Sequence, residues 1–342
     1  MNTAAPPSPP ADSAAAHASS RESRALALLV SPESIAVLLL AAAFVAGAFL
    51  SPVFLDARYL INSTSLYMEP ALMALAMTFV IISGNIDLSV ASNLALTGVL
   101  CAELYTRCHV PMALVVPLAP LIGAVLGLFN GLLITRLRLP ALTVTLGTLA
   151  LYRGLAQVMI GDAAVGGFPD WFTGIDQRLV GGLIPLPLLL FLTLALFCGI
   201  VLHKTTFGRR LYALGTNEPA ARFSGIRTGA LKLAVFTLSG ACAGLAAMVM
   251  TSRLGAVQYN LAEGDELAVI TAVVLGGTDI FGGRGTIFGT VVAVFLLGII
   301  SRAMGVANIR SEYQLAVTGS LLIFAVVLCR LLTKIGSKRH SQ

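Results

Sequence analysis

Residues 77–92 read MTFVIISGNIDLSVAS. The apolar run that ends at Ile82 gives way to Ser83-Gly84-Asn85-Ile86-Asp87-Leu88-Ser89 and resumes at Val90. The runs on either side, about 66–83 and 88–106, are each long enough to cross a bilayer, which takes ~20 mostly apolar residues in helical form. A carboxylate between them is costly at membrane depth, roughly 3 kcal/mol for Asp at a helix centre. Two readings fit the strip. In one it is a turn at the inner face, with Asp87 near the start of the next helix, capping it and favoured by its dipole. In the other it is a re-entrant kink lining a passage, where freed backbone groups are tolerated only next to protein or a water-filled cavity. The second reading makes Asn85, Asp87 and Ser89 pathway residues. Both readings require an all-α polytopic membrane fold.

Further apolar runs, punctuated by Gly, Pro and charge, stand at about 34–51, 112–135, 140–160, 183–202, 230–252, 267–280, 286–303 and 312–332, giving about ten transmembrane helices. Composition agrees: 57% of the 342 residues are apolar and 11% charged, against about a quarter charged in soluble domains. The net charge of +6 is dispersed between the runs and forms no single patch, which speaks against nucleic acid. Basic residues gather at 136–138, 204–210, 222–232 and 334–339, with only scattered arginines (Arg58, Arg107, Arg178, Arg253, Arg302, Arg310) on the alternate side. By the positive-inside rule both termini are cytoplasmic. The expected organisation is a disordered cytoplasmic tail over 1–33, a membrane domain over 34–333 with an inner loop at 203–229, and a cytoplasmic tail over 334–342.

The five cysteines lack metal spacing, and the four histidines are scattered, so neither a metal site nor a catalytic nucleophile is expected. Buried acids or histidines along the helices, which a proton-driven carrier would need, are nearly lacking. Gly123, Gly127 and Gly131 recur every fourth residue, as do Gly240 with Gly244 and Gly285 with Gly289, spacing that lets helices pack closely in lipid.

Two connections are long. The outer one, 161–182, carries Trp171 between Phe168 and Phe172 and reads as an interfacial anchor or a lid. The inner one, HKTTFGRRLYALGTNEPAARFSGIRTG from His203, is polar and basic around a short helical stretch, Asn217 to Ser224, that Asn217 or Thr216 can cap and Gly225 can end. It is either a solvated loop or a docking element for a soluble partner. The glycine-rich strip 276–286 lacks the Gly-Lys-Ser/Thr ending and preceding strand of a phosphate loop, and reads as an inner turn with Asp279 and Arg284 close enough to pair. Glu69 fits an interfacial first helical turn, with Pro70 beside it. Glu263, Asp265 and Glu266 stand at the outer start of the eighth helix, as ordinary first-turn acids or as groups meeting sugar hydroxyls or a basic partner. On the latter reading Glu266 joins the pathway.

Four blocks in order, MTFVIISGNIDLSVAS (77–92), FNGLLITRLRLPALTVTLGTLALYRGLA (129–156), FGRRLYALGTNEPAARFSGI (207–226) and AVVLGGTDIFGGRGTIFGT (272–290), resemble the ribose-type permease family, membrane subunits of bacterial ABC importers for monosaccharides. The resemblance runs from about residue 35 to 333. It implies a type II ABC importer-like fold in the inner membrane and a permease subunit that is not an enzyme and binds no cofactor, ATP being used by a partner. The implied partners are a second permease subunit, identical or related, two cytoplasmic ATP-binding cassette domains and a periplasmic sugar-binding protein. It also implies that Asn217, Glu218, Ala220, Ala221, Arg222, Ser224, Gly225 and Ile226 form the helix that couples to the ATPase, and that the cargo is a pentose, hexose or deoxyhexose such as rhamnose. Two positions depart from the family pattern: Asn85 and Ala91 stand where glycines are usual. An asparagine at a sharp turn can still take the left-handed conformation. The rival reading is a proton-coupled sugar carrier or a channel working without an ATPase.

Overall fold

The computed structural model describes residues 32–176 and 178–339. The tail expected over residues 1–33 falls outside them up to residue 31, as do residues 340–342 at the other end. The helices in chain order are α1 (Pro32–Leu50), α2 (Ala57–Ser63), α3 (Met68–Ile82), α4 (Val90–Thr106), α5 (Met112–Arg136), α6 (Ala141–Ile160), α7 (Asp170–Thr173), α8 (Leu186–Lys204), α9 (Thr206–Thr216), α10 (Glu218–Phe223), α11 (Thr228–Leu254), α12 (Asp265–Leu275), α13 (Ile287–Val306) and α14 (Ser311–Arg339). Among the described residues four two-residue strands make two ribbons, β1 (Val165–Gly166) with β4 (Ala256–Val257), and β2 (Leu179–Val180) with β3 (Ile184–Pro185).

Among the described residues five helical segments are long and apolar enough to cross a membrane: Ala57–Ile82, Met112–Arg136, Leu186–Lys204, Thr228–Leu254 and Ile287–Val306. Shorter apolar helices, Val90–Thr106 among them, accompany these. The second apolar run begins earlier than its hydropathy suggests. The polar stretch ARYLINSTSLY is helical too, α2 passing through a 3-10 turn at Thr64–Tyr67 into α3, and Asp56 caps its start by accepting from the Arg58 N–H at 2.8 Å. The last helix runs to Arg339, into the segment expected to be a tail.

α3 occupies the centre. Its sequence, MEPALMALAMTFVII, is apolar on every face, and every residue except Pro70 is buried, as such a helix requires. α11, α12, α13 and α8 pack against it, while α5, α6 and α8 keep one side inward and turn leucines, valines and phenylalanines outward, including Leu121, Val125, Leu196 and Phe197. α11 packs along most of α5, and the glycines explain how. A Cβ at Gly123 or Gly127 would overlap the backbone of Gly240, Gly244 or Phe236, and one at Gly244 the carbonyl of Ala119. Gly131 lies against Leu233, and Gly289 against Gly276. In lipid this close backbone approach, with its dispersion contacts, takes over from the hydrophobic effect as the force joining helices.

Candidate functional site

The inner connection holds two helices where the sequence suggested one. α9 places Leu211 and Leu214 inward and Arg209 and Arg210 outward, a 3.6-residue pattern obscured by the charge of the segment. α10 follows at once. The Asn217 side chain accepts from the Ala220 N–H at 2.9 Å, Pro219 sits in the first turn, and Gly225 takes φ +80° just beyond the end. The Ser224 hydroxyl donates to the Ala220 carbonyl at 3.0 Å, and the Ile226 N–H to that of Ala221 at 3.1 Å, so the exit from the helix is as ordered as its entry. Ala221 is buried beneath this cap, while Phe223 is 93% exposed. An aromatic ring held out to water on a capped six-residue helix is a surface built to be covered.

Beside α10 lies a cavity of about 580 Å³ lined by Asn85, Arg138, Arg222, Arg227, Glu218 and Lys232 among others. Glu218 and Lys232 pair at 2.7 Å, which ties α10 to α11. No ion pair engages Arg138, Arg222 or Arg227 among the described residues. This end of the molecule therefore presents a cavity lined by three guanidinium groups and, on the adjoining helix α10, an exposed phenyl ring.

Three glycines join this surface to the membrane helices. A Cβ at Gly215, in the last turn of α9, would strike the Ile82 carbonyl at the end of α3 and the Gly283 nitrogen. A Cβ at Gly282 would meet Gly84 at 2.8 Å. The Gly283 N–H donates to the Ile82 carbonyl at 2.9 Å, and the Tyr212 hydroxyl to that of Gly285 at 2.7 Å. The strip 276–286 is thus a clamp between α9 and α3. Its expected Asp279–Arg284 ion pair does not form. The two residues pair through backbone, Asp279 N–H to the Arg284 carbonyl at 3.0 Å, while the Asp279 carboxylate accepts from the Phe281 N–H.

The strip after Ile82 turns at Gly84, φ +77°, and not at Asn85, whose amide donates to the Ser83 carbonyl and hydroxyl. Glycine supplies the left-handed conformation without strain, so the asparagine need not. Asp87 is 2% and Ser89 0% exposed, and their polar atoms bond to protein groups. One Asp87 oxygen accepts from the Ser89 N–H at 3.0 Å and hydroxyl at 2.6 Å, and the other from the Ser239 hydroxyl of α11 at 2.8 Å. Asn130 of α5 donates to the Ser89 hydroxyl at 2.7 Å. A buried carboxylate is tolerable when hydrogen bonds satisfy it, and this one knots α4, α5 and α11 together. Asn85, by contrast, lines the inner cavity.

At the opposite end Glu69 stands in the first turn of α3, as expected, but inside the protein. It is 1% exposed and pairs with Arg253 of α11 at 2.7 Å. Arg153, inside α6, donates to the carbonyls of Tyr259 and Leu261 at 2.7 Å each, within electrostatic reach of Glu263, Asp265 and Glu266. Glu266 thus sits partly buried in the first turn of α12 near a cation. The outer connection is pinned: β1 pairs with β4, placing Val165 opposite Val257, and the Ser252 hydroxyl donates to the Phe172 carbonyl at 2.5 Å. Phe168 and Phe172 are buried and Trp171 is 42% exposed. In this connection burial pushes the Asp176 carboxyl above its ordinary range, opposed by the Arg253 charge and a Ser65 hydroxyl.

Of the residues expected to matter, the structure gathers Asn217 to Ile226 with Asn85 at the inner mouth and leaves Glu266 at the other end. Phe223, Tyr212, Gly215 and Gly282 were missed. An aromatic inside a polar, capped helix was the available signal for Phe223, whereas the glycine contacts link segments more than 60 positions apart in the chain. Among the described residues no group of His, Cys, Asp or Glu is placed to hold a metal.

The sequence matches the family described as branched-chain amino acid transport system / permease component over residues 59–326. It is 36% identical over 301 residues to the autoinducer 2 import system permease protein LsrD of Klebsiella pneumoniae, covering 86% of this chain and 90% of that protein. The LsrD proteins of an Enterobacter species (36% over 284 residues, 81% and 86% covered) and of Photorhabdus laumondii (35% over 283 residues, 81% and 84%) are similar to the same extent. No solved structure matches.

Proposed function

The chain belongs to the ribose-type ABC sugar permease family, as a membrane transport subunit and not an enzyme, and from this premise we propose that it forms one half of the transmembrane pathway of an ATP-driven importer. Its cargo is a monosaccharide-sized polyhydroxylated molecule, a pentose, a hexose, a deoxyhexose such as rhamnose, or a furanosyl signal of the kind named for its relatives. A second permease subunit, two cytoplasmic ATP-binding cassette domains and a periplasmic binding protein complete the machine, which lies in the inner membrane with both termini cytoplasmic and about ten spans per permease. ATP is consumed by the partner.

The observation that carries this reading is α10, capped at both ends, with Phe223 exposed next to Arg222 and its base clamped to α3 through Gly215 and Gly283. An apolar side chain next to basic groups fits a socket with an apolar pit and an acidic rim. Closure of the ATPase pair moves α10, the glycine junction passes that motion to α3 without slack, and the membrane helices alternate between outward and inward exposure. Glu218 orients α10 through Lys232, and Arg222 steers the docking.

The purified importer, reconstituted with its ATPase and binding protein, tests this. Phe223→Ala and Arg222→Ala should each lower sugar uptake and binding-protein-stimulated ATP hydrolysis at least fivefold while the permease stays monodisperse. Unchanged uptake and unchanged stimulation in both would sink the docking assignment. Accumulation by the permease alone, driven by a pH gradient, would instead establish the carrier reading.

A further inference from the structure

A second cavity, about 700 Å³, lies near the outer end between the start of α3, α12, α13 and α14. Its size falls within the range of small-molecule sites, about 300–1,000 Å³. One wall is small and apolar, with Ala71, Ala268 and Ala272 facing Leu297. The Tyr67 ring lies along another, seated on Gly298, where any Cβ would overlap it, and braced edge-on by Phe295 at 6.4 Å. At the polar end stand Glu263, Asp265, Ser301, Arg302 and Gln314.

What matters is which of these groups are already engaged. Arg302 gives one guanidinium nitrogen to the Tyr59 hydroxyl at 2.6 Å, while its Nε is buried without a hydrogen-bond partner among the described residues. A buried donor left without a partner is costly, so Arg302 has hydrogen-bonding capacity still to be met at this end of the cavity. No ion pair occupies Glu263 or Asp265 among the described residues. The Gln314 amide donates to the Ile309 carbonyl at 3.2 Å, which leaves its oxygen to accept. An anion placed here would meet two carboxylates, and a cation would meet the guanidinium. A neutral molecule with several hydroxyls satisfies donors and acceptors together and sets its C–H face on the tyrosine ring.

We propose that this outer cavity is a way-station for the cargo, a weak site within a single permease chain for one neutral monosaccharide-sized polyol entering from the outside. The proposal rests on the reading of the chain as a sugar permease, and it assigns holding to residues at the far end of the molecule from the coupling surface. Low affinity suits the role, since a tightly held sugar would stall.

The test uses the complete reconstituted importer with D-ribose, L-rhamnose and D-glucose as probes. Ala268→Phe, which fills the cavity, should cut uptake of the transported sugar at least tenfold while binding-protein-stimulated ATP hydrolysis stays within twofold of the parent. Uptake equal to the parent overturns the proposal. In a second arm, Ser301→Cys is placed in the Cys108→Ser parent and treated in proteoliposomes with a membrane-impermeant methanethiosulfonate. Labelling above the parent from the outer face supports an aqueous site, and labelling only by a membrane-permeant maleimide marks a lipid-filled gap and overturns it. Should the parent importer carry none of the three sugars, the monosaccharide reading of the function fails, and the labelling arm still decides whether the cavity is open to water.

Discussion

The inner and outer ends of this molecule are held together by different means. Inside, backbone touches backbone: Gly215, Gly282 and Gly283 leave no room for a side chain between α9, the 276–286 strip and the end of α3. Outside, side chains bridge gaps: Arg253 to Glu69, Arg302 to Tyr59, Ser252 to the carbonyl of Phe172, and Arg302 also lines the outer cavity. A backbone junction transmits displacement without rotamer slack. Side-chain bridges can be remade in a new register, as a mouth that opens and closes must allow. The comparison teaches that this chain is stiff at the α10 end and adaptable at the end where the β1–β4 ribbon lies, the division of labour that the proposed coupling surface and cargo entrance would require.

The comparison breaks most sharply at the outer ion pair. Arg253→Met should cost about 3–5 kcal/mol by leaving Glu69 buried and unpaired, read as a large fall in the midpoint of thermal unfolding in detergent. Adding Glu69→Gln should recover most of the loss. Failure of the double variant to recover would show that Arg253 acts mainly by packing. At the inner end, Gly215→Ala asks the opposite question. Overpacking usually costs about 1–3 kcal/mol, and here uptake should fall further than stability predicts, with ATP hydrolysis persisting uncoupled. Proportionate loss of both would mean the junction is structural only. The smallest effect belongs to Asp176. Its carboxyl is raised in the folded state, so its contribution to stability is full below the ordinary carboxylate range and is lost as pH rises through the raised value. Asp176→Asn should flatten that slope in the unfolding midpoint between acidic and neutral pH, and an unchanged slope would assign it elsewhere.

Much of the helical framework was legible in the sequence because lipid-length apolar runs with glycine and proline punctuation leave few alternatives. The run at 112–135 became Met112–Arg136, and that at 140–160 became Ala141–Ile160. α10 was legible through local chemistry, an asparagine cap and a terminating glycine only a few residues apart. What escaped was whatever polarity disguised or distance separated. The beginning of the Ala57–Ile82 span hid in ARYLINSTSLY, and α9 hid in its charges. Asp87 meets Ser239 across 152 positions and Glu69 meets Arg253 across 184, so no local pattern reveals that either acid is buried and satisfied. That long-range pairing also sets Asp87 and Ser89 in a hydrogen-bonded knot that the local sequence does not announce.

α11 begins at Thr228, five residues after the last residue of α10, and ends at Leu254, two residues before β4 begins its pairing with the outer segment at Val165. Its 27 residues contain no proline, and at 1.5 Å per residue they make a rod of about 40 Å. Such a rod is a lever arm. A tilt of about 5° at its α10 end sweeps the far end through roughly 3.5 Å, more than the length of a hydrogen bond, so a modest tug at α10 is enough to lift the ribbon at the other end.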